Sequence, residues 1–375
     1  MNKLKIIIGT GILTIKQIEE IMMLLPNVKY ELLKIQSYEN KHKEVLQLTD
    51  ILKDYLTHEV DEAILSGEAD ITIHPAIDLH YPLPAGLEII ALIKVPDQSD
   101  CLLPIKTHPL QEHIVVISRE GNTLLKELFS LVDLRKNYGK IYIAGFGPGD
   151  PELLTVKAYQ ALQQADIIFH DCLLNKDYLD NFKGEKICSG KRKNNHIKEQ
   201  EEINQLLYKA ATNGKKVVRI KGGDPLIFGR GGEEFFYLKE RLIDVEIIPG
   251  ITSAIAAAAV AGIPLTQRGI SSSVAFCTGH PESSIRIPDT DTIVYYMSTS
   301  KLHLILNKLV EAGRPANTAV AIIENISLPN QRIITGTINE ILLKTNTYHS
   351  PLVFIVGDVV TLNYLIKKAV QYDNT

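Results

Sequence analysis

The chain has 375 residues, too many for one ordinary hydrophobic core, so two or three domains are expected. Its 45% hydrophobic and 22% charged residues fit a soluble globular protein. The net charge of −4 excludes the broad cationic footprint of a nucleic-acid or membrane-surface binder, although a local basic pocket for an anionic ligand stays compatible with it.

The first segment alternates strand and helix: strand Leu4–Ile8, helix Thr14–Leu25, strand Tyr30–Ile35, helix Leu46–Leu56, short helix Asp61–Leu65 and strand Ala69–Ile73. Lys3 and Lys5 before an apolar run resemble a signal peptide. Gly9, Thr10 and Gly11 interrupt that run, however, and Glu19 and Glu20 follow it, so a buried strand turning into a helix is expected. After a turn with Pro82 and Pro84 come strand Leu87–Ile93, strand Ile114–Ile117, helix Asn122–Leu131 and a charged connector, Asp133–Lys140. The main boundary is placed there.

A second α/β region starts with strand Lys140–Gly145 and the turn Gly147-Pro148-Gly149. Asp150 suits an N-cap, Pro151 the first helical position and Glu152 the first turn, giving a helix to Gln164. Strands follow at Asp166–His170 and Lys186–Ser189, then a helix from Glu199 stopped by Gly214, strand Lys216–Ile220, a glycine-dense loop over Gly222–Gly232, strand Val245–Ile248 and helix Ile251–Ala261. That apolar helix is too short for a bilayer. Strands near Ser273–Cys277, Thr292–Tyr296, Ala319–Ile323, Gln331–Thr335 and Leu352–Val356 predict a mixed sheet, so this region is bilobal with a seam around 247–270. Cys101, Cys172, Cys188 and Cys277 have no CxxC spacing and read as buried thiols of a reduced, cytoplasmic protein.

Three strings carry chemistry. Gly145-Phe-Gly147-Pro148-Gly149-Asp150 is not a dinucleotide fingerprint, because Asp150 holds the last glycine position and Pro148 interrupts it; its glycines let a ligand approach the backbone at a sheet edge. The string Arg219 to Glu234 is more specific. Gly222 and Gly223 clear room for a bulky ligand, Asp224 suits ribose hydroxyls or an ammonium, and Arg230 with Glu233, three apart, suits a carboxylate and a proton. The plainer reading of that pair is a surface salt bridge. Pro249-Gly250-Ile251-Thr252-Ser253 opens an alanine-rich helix whose free N–H groups suit an acidic group, and Arg268 adds a cation after the helix ends at Gly262.

Together with Gly147–Thr155, Asp171, Gly190-Lys191-Arg192 and Thr278-Gly279-His280, these strings resemble the uroporphyrinogen III C-methyltransferases of the tetrapyrrole methylase fold, over residues 138 to 370. The resemblance implies two methyl transfers from S-adenosylmethionine to C2 and C7 of uroporphyrinogen III, giving precorrin-2 and S-adenosylhomocysteine without a metal. It implies Asp171 as base, Lys191 as proton-handling lysine, and Arg230, Glu233 and Arg268 as binders of the octacarboxylate macrocycle. Pro148, Gly222, Gly223, Asp224, Ile227, Thr252, Ser253 and Met297 are implied as the lining of the donor pocket. Two positions depart from the family: Ile326 stands for a glycine, so that donor contact falls to backbone, and Ser298 follows Met297 in place of glycine. A homodimer, and contact with other tetrapyrrole-pathway enzymes, are implied by resemblance only; no nucleic-acid or membrane partner is expected.

Residues 1–105 resemble the first lobe of porphobilinogen deaminase, through Ile8-Gly9-Thr10, Val60–Ile71, His74, and Asp78 followed by Leu83-Pro84-Ala85-Gly86-Leu87. Asp78 matches that family's catalytic aspartate. Gly11 and Ile77 replace its arginine and lysine, and its cysteine-bearing lobe has no room before Lys140. The expected organisation is a truncated deaminase-like α/β domain (1–105), a connector (106–137) and a bilobal methyltransferase domain (138–375, lobes 138–247 and 248–375). Two other readings stay open at this point: a later precorrin methyltransferase, and a non-catalytic tetrapyrrole-binding module.

Overall fold

A computed structural model describes residues 3–8, 15–25, 28–34, 59–79, 82–94, 108–171, 174, 176–189, 200–344 and 347–363. The helix expected at Leu46–Leu56, the Gly9–Gly11 turn, Cys101, Cys172, Lys191 and His196 lie outside these residues, as does the side chain of Asp78. The chain divides into two units. One comprises Met1–Lys140, Tyr208–Lys215 and Phe236–Asp244, the other Ile141–Leu207, Lys216–Phe235 and Val245–Thr375.

In the first unit β1 (Leu4–Ile8), β2 (Tyr30–Lys34) and β3 (Ile71–Pro75) run parallel, and β4 (Leu87–Lys94) and β5 (His113–Arg119) extend the sheet antiparallel in the order β2-β1-β3-β5-β4. Ile6, Ile73 and Val116 face α1 (Ile15–Met23) and α3 (Thr123–Ser130) through Ile18, Ile21, Leu125 and Phe129. Ile7, Val115 and Ile117 pack on the other face with Val60 and Ile64 of α2 (59–66). With both faces covered, these strands read as apolar runs rather than alternations. The side chain of Asn122 caps α3 by accepting from the Leu125 amide.

The second unit has two lobes. In the first, β6 (Ile141–Gly145), β7 (Ile167–His170), β8 (Glu185–Cys188), β9 (Val217–Lys221) and β10 (Val245–Ile248) form an all-parallel sheet in the order β10-β6-β9-β7-β8. Its helices are α4 (Val156–Gln164), α5 (Lys176–Leu179) and the first parts of α6 (Gln200–Thr212) and α7 (Gly231–Lys239), whose ends from Tyr208 and Phe236 belong to the first unit. The second lobe holds α8 (Ser253–Ala261), β11 (Val274–Thr278), β12 (Thr292–Tyr296), α9 (Leu302–Glu311), β13 (Ala319–Glu324), β14 (Arg332–Thr337), α10 (Ile338–Leu343) and β15 (Leu352–Val356). Its sheet order is β11-β12-β15-β13-β14, with β11–β12 parallel and the other pairs antiparallel, the mixed sheet that the sequence predicts.

Two expectations are corrected. The single helix from Asp150 to Gln164 is broken. Asp150 caps only a 3-10 turn, Pro151–Leu153, by accepting from the Glu152 amide, and Thr155 then caps α4 by accepting from the Ala158 amide. Two capping side chains five residues apart support two short elements in place of one. Nor are the thiols uniformly reduced: Cys188 is disulfide-bonded, whereas Cys277 is free and half-buried. Among the described residues no helix is long and apolar enough to cross a membrane, and no His/Cys/Asp/Glu group is arranged to hold a metal ion.

Candidate active site

The carboxyl ends of β6, β9 and β10 lie side by side, and the three loops that leave them cross without side chains between them. Gly147 and Gly223 exchange backbone hydrogen bonds of 3.2 and 2.8 Å. A Cβ on Gly145 would lie 2.5 Å from the Gly223 carbonyl and 2.6 Å from the Gly250 Cα, so only glycine fits this crossing. Asp224 braces it, its two carboxylate oxygens accepting from the Gly250 amide (3.0 Å) and the Leu226 amide (2.8 Å). The side chain read from sequence as a ligand for ribose or ammonium is therefore first a tie between two loops. Gly222 is exposed beside this crossing, and Gly223, buried, faces Ser253 at the start of α8.

The second lobe supplies the opposite wall. The Tyr296 hydroxyl sits 2.7 Å from Thr252 Oγ1 and accepts from the Ala254 amide at 3.2 Å, so β12 caps the start of α8. Burial pushes that phenol above its ordinary value. Phe228 packs against Tyr296 with ring centroids 5.1 Å apart, and Ile227 joins the same apolar cluster. Met297, in left-handed backbone at φ +50°, stands half-exposed, while Ser298 beneath it is buried and closes on Gly279. Ile326 turns its side chain into the lobe's core, so only its backbone faces the Gly149 turn. Ser327 Oγ accepts from the Asp150 amide there, which seats the Pro148 loop.

The residues proposed for catalysis fall into separate groups. Asp171, at the end of β7, is joined to Arg219 Nη2 at 2.7 Å and has a side chain 35% exposed. Arg230 and Glu233 form a bidentate pair at 2.9 and 2.7 Å in the open. The hydrogen bond between them raises the Arg230 pKa and lowers that of Glu233. Arg230 is not yet helical (φ +58°), while Glu233 lies in the first turn of α7, so the pair joins loop to helix rather than sharing one helical face. Arg268 is exposed on the turn after α8; among the described residues no hydrogen bond or ion pair joins it to Asp171, Arg230 or Glu233. His170 is buried, with Nδ1 on the Asp171 carbonyl, which suits a structural role.

Behind Asp171 lies a cluster to which the sequence reading assigned no role. Glu234, fully buried, accepts on Oε1 from Arg219 Nε (3.2 Å), Lys221 Nζ (2.9 Å) and Gln200 Nε2 (3.1 Å), while its Oε2 has no partner among the described residues. Burial, reinforced by the neighbouring Arg219 charge, lowers the Lys221 pKa. At Arg219 burial acts in the same sense, but the Glu234 and Asp171 carboxylates outweigh it and raise the value. The available signal was the strand Val217-Val218-Arg219-Ile220-Lys221, where two cations at period two in an apolar run mark one buried face.

Residues 140–342 match the model of the tetrapyrrole (corrin/porphyrin) methylases, and residues 6–140 that of the porphobilinogen deaminase dipyromethane cofactor binding domain. A uroporphyrinogen-III C-methyltransferase of Priestia megaterium is 44% identical over 237 residues, 60% of this chain and 100% of that protein. A siroheme synthase of Psychrobacter arcticus is 46% identical over 241 residues, 61% of this chain and 44% of its own length. The chain spans about half the length of the curated siroheme synthases it matches. The crystal structure of a uroporphyrin III C-methyl transferase from Thermus thermophilus, at 33% identity, covers 60% of this chain and 94% of that one with a TM-score of 0.53. Its complex with S-adenyl homocysteine superposes equally well. The chain thus carries a bilobal methylase fold behind a deaminase-like domain, and it belongs to the tetrapyrrole methylase family.

Proposed function

We propose that the second unit transfers methyl groups from S-adenosylmethionine to C2 and C7 of uroporphyrinogen III, giving precorrin-2. The observation that carries this reading is the match over the whole length of the Priestia megaterium uroporphyrinogen-III C-methyltransferase. The residues present also fit a donor of this kind, since the crossing of Gly145, Gly223 and Gly250 leaves a face of the sheet edge that side chains do not fill. Pro148, Gly222, Gly223, Ile227, Thr252, Ser253, Met297 and the backbone at Ile326 would hold the donor, with Asp224 bracing the loops around it.

The donor supplies an electrophilic methyl group, which a pyrrole carbon takes as a C–C bond forms, the C–S bond breaks and S-adenosylhomocysteine leaves. Arg230 meets a carboxylate of the macrocycle with the same two-pronged geometry it now offers Glu233, and Arg268 adds a second exposed cation. Asp171 takes the proton that the alkylated ring must lose, and Lys191 completes the proton path as the resemblance implies.

Anaerobic incubation of the purified protein with uroporphyrinogen III and S-adenosylmethionine, read by product mass, tests this. A gain of two methyl groups is expected. No gain with the donor still bound points to another tetrapyrrole, such as a later precorrin, and no donor binding points to a non-catalytic binding module. We further propose a cytoplasmic homodimer, which sedimentation checks. The deaminase-like unit by itself is expected not to polymerise porphobilinogen, and hydroxymethylbilane formed by the purified chain would refute that.

A further inference from the structure

Asp171 is joined by one guanidinium nitrogen to a buried cluster with a definite charge balance. Arg219 and Lys221 contribute two positive charges and Glu234 and Asp171 two negative ones, so the foursome is neutral. The side chains of Arg219, Lys221 and Glu234 are 3%, 4% and 0% exposed, against 35% for Asp171. Such a cluster is costly to bury and strongly destabilised when one member is removed, and the fold places it directly behind the partly exposed Asp171 carboxylate. The guanidinium works as a fork: Nε donates to Glu234, Nη2 to Asp171 and Nη1 to the Ile220 carbonyl at 3.3 Å. A planar fork held at two points, Glu234 and the Ile220 carbonyl, fixes the direction of its third prong toward Asp171, which a lysine ammonium cannot do. The anchor of the fork, Glu234, follows Glu233 in the first turn of α7, so the same turn carries the partner of Arg230.

We infer that Arg219 is a positioning residue for the methyl-transfer reaction: its fork, seated on Glu234 and Lys221, holds the Asp171 carboxylate at the end of β7 in the orientation needed to take the ring proton. This rests on the reading of Asp171 as the proton acceptor. Lys221 belongs to the seat rather than to the reacting group, since it contacts Glu234 and not Asp171.

The test is a double-mutant cycle in the full chain with Arg219→Gln, Asp171→Asn and the pair. It measures kcat with uroporphyrinogen III, the affinity for S-adenosylhomocysteine by calorimetry, and Tm. Arg219→Gln leaves the Lys221–Glu234 pair in place, and the expected result is a fall in kcat of roughly 10- to 100-fold with S-adenosylhomocysteine affinity within about two-fold of the parent. In the Asp171→Asn background the same change costs nothing further, because the group it positions is already gone. Arg219→Lys keeps the charge without the fork and is expected to keep much of the deficit; should Arg219→Gln fail to fold, the cycle is run with this variant. An unchanged kcat in the Arg219 variants, or an equal loss whether or not Asp171 is present, overturns the inference. If Asp171→Asn turns over like the parent, it is the reading of Asp171 as the base that fails.

Discussion

Replacing Glu234 by glutamine tests the energetics of the buried cluster directly. The substitution keeps the shape and one acceptor oxygen but removes the charge that Arg219 and Lys221 share at 3.2 and 2.9 Å. Each such pair corresponds to about 5 kcal/mol of Coulomb energy at an effective dielectric near 20, most of which offsets desolvation. Breaking a buried pair by removing one partner costs about 3–5 kcal/mol in practice. For a unit of roughly 200 residues that is a fall in Tm of about 6–20 °C. Two controls separate this cause from packing. Glu234→Leu combined with Lys221→Met removes a whole pair, leaves Arg219 with Asp171, and is expected to lose less than Glu234→Gln alone. The deficit of Glu234→Gln also shrinks with rising pH. Lys221 already has a lowered pKa from burial and the Arg219 charge, and losing its anion lowers it further. Between that folded-state value and about 10.4 the unfolded chain binds the extra proton, so stability rises with pH. The assay is thermal unfolding by circular dichroism from pH 7 to 9.5, following the transition that S-adenosylhomocysteine shifts upward. A loss under about 1 kcal/mol, or a double variant worse than the single one, would refute the charge argument.

The other predictions address separate parts of the chain. Gly250→Ala places a Cβ against the Gly223 carbonyl and the Gly145 Cα, and is expected to abolish S-adenosylhomocysteine binding while the first unit keeps its own unfolding transition; wild-type affinity would show that the crossing tolerates a side chain. Arg230→Ala is expected to abolish turnover while changing donor affinity less than about two-fold, since it removes an exposed residue proposed to meet the macrocycle; equal loss of both would sink that assignment. In the first unit, burial lowers the His74 pKa from 6.5 to about 4, where the ring lies 3.0 Å from Thr72 Oγ1. The unfolded chain therefore binds this proton first as pH falls, and stability declines between pH 6.5 and 4 by at most about 3 kcal/mol. Thermal scans of His74→Gln should show that decline flattened, and an unchanged pH slope would rule His74 out as its source.

What the sequence disclosed and what it concealed follow from the range of the interactions. The glycine strings, the Gly214 and Gly262 helix stops and the alternation of strands were legible because each is a local backbone requirement. Gly262, for example, adopts φ +61° at the end of α8. The pairing of Arg230 with Glu233 was legible for the same reason, being a matter of three residues. The helix after Gly147 was misread because Asp150 and Thr155 are both competent caps, and propensity alone does not say that each begins its own element. Asp224 was assigned to a ligand by its residue type, while its geometry gives both oxygens to backbone amides. The role of Arg219 lay furthest out of reach, because its partners Glu234 and Asp171 stand 15 and 48 residues away and meet it only once the sheet order is fixed.

That distant cluster also explains how the exposed loop holds its shape. Gly229 and Gly231 fold back on Pro225, with the Gly231 amide donating to the Pro225 carbonyl at 2.9 Å, and this leaves Phe228 and Arg230 in left-handed backbone at φ +54° and +58°. Such a conformation costs about 1–2 kcal/mol for a residue other than glycine and persists only where the surroundings over-determine it. Here the loop is fixed from both sides: Glu233 grips Arg230 in the open, and its neighbour Glu234 is fastened by three donors in the interior. The restraint on this loop therefore comes from α7, which supplies both carboxylates in one turn. Loosening Glu234 should therefore be felt first at Phe228 and Arg230, the two residues whose backbone has the most to regain.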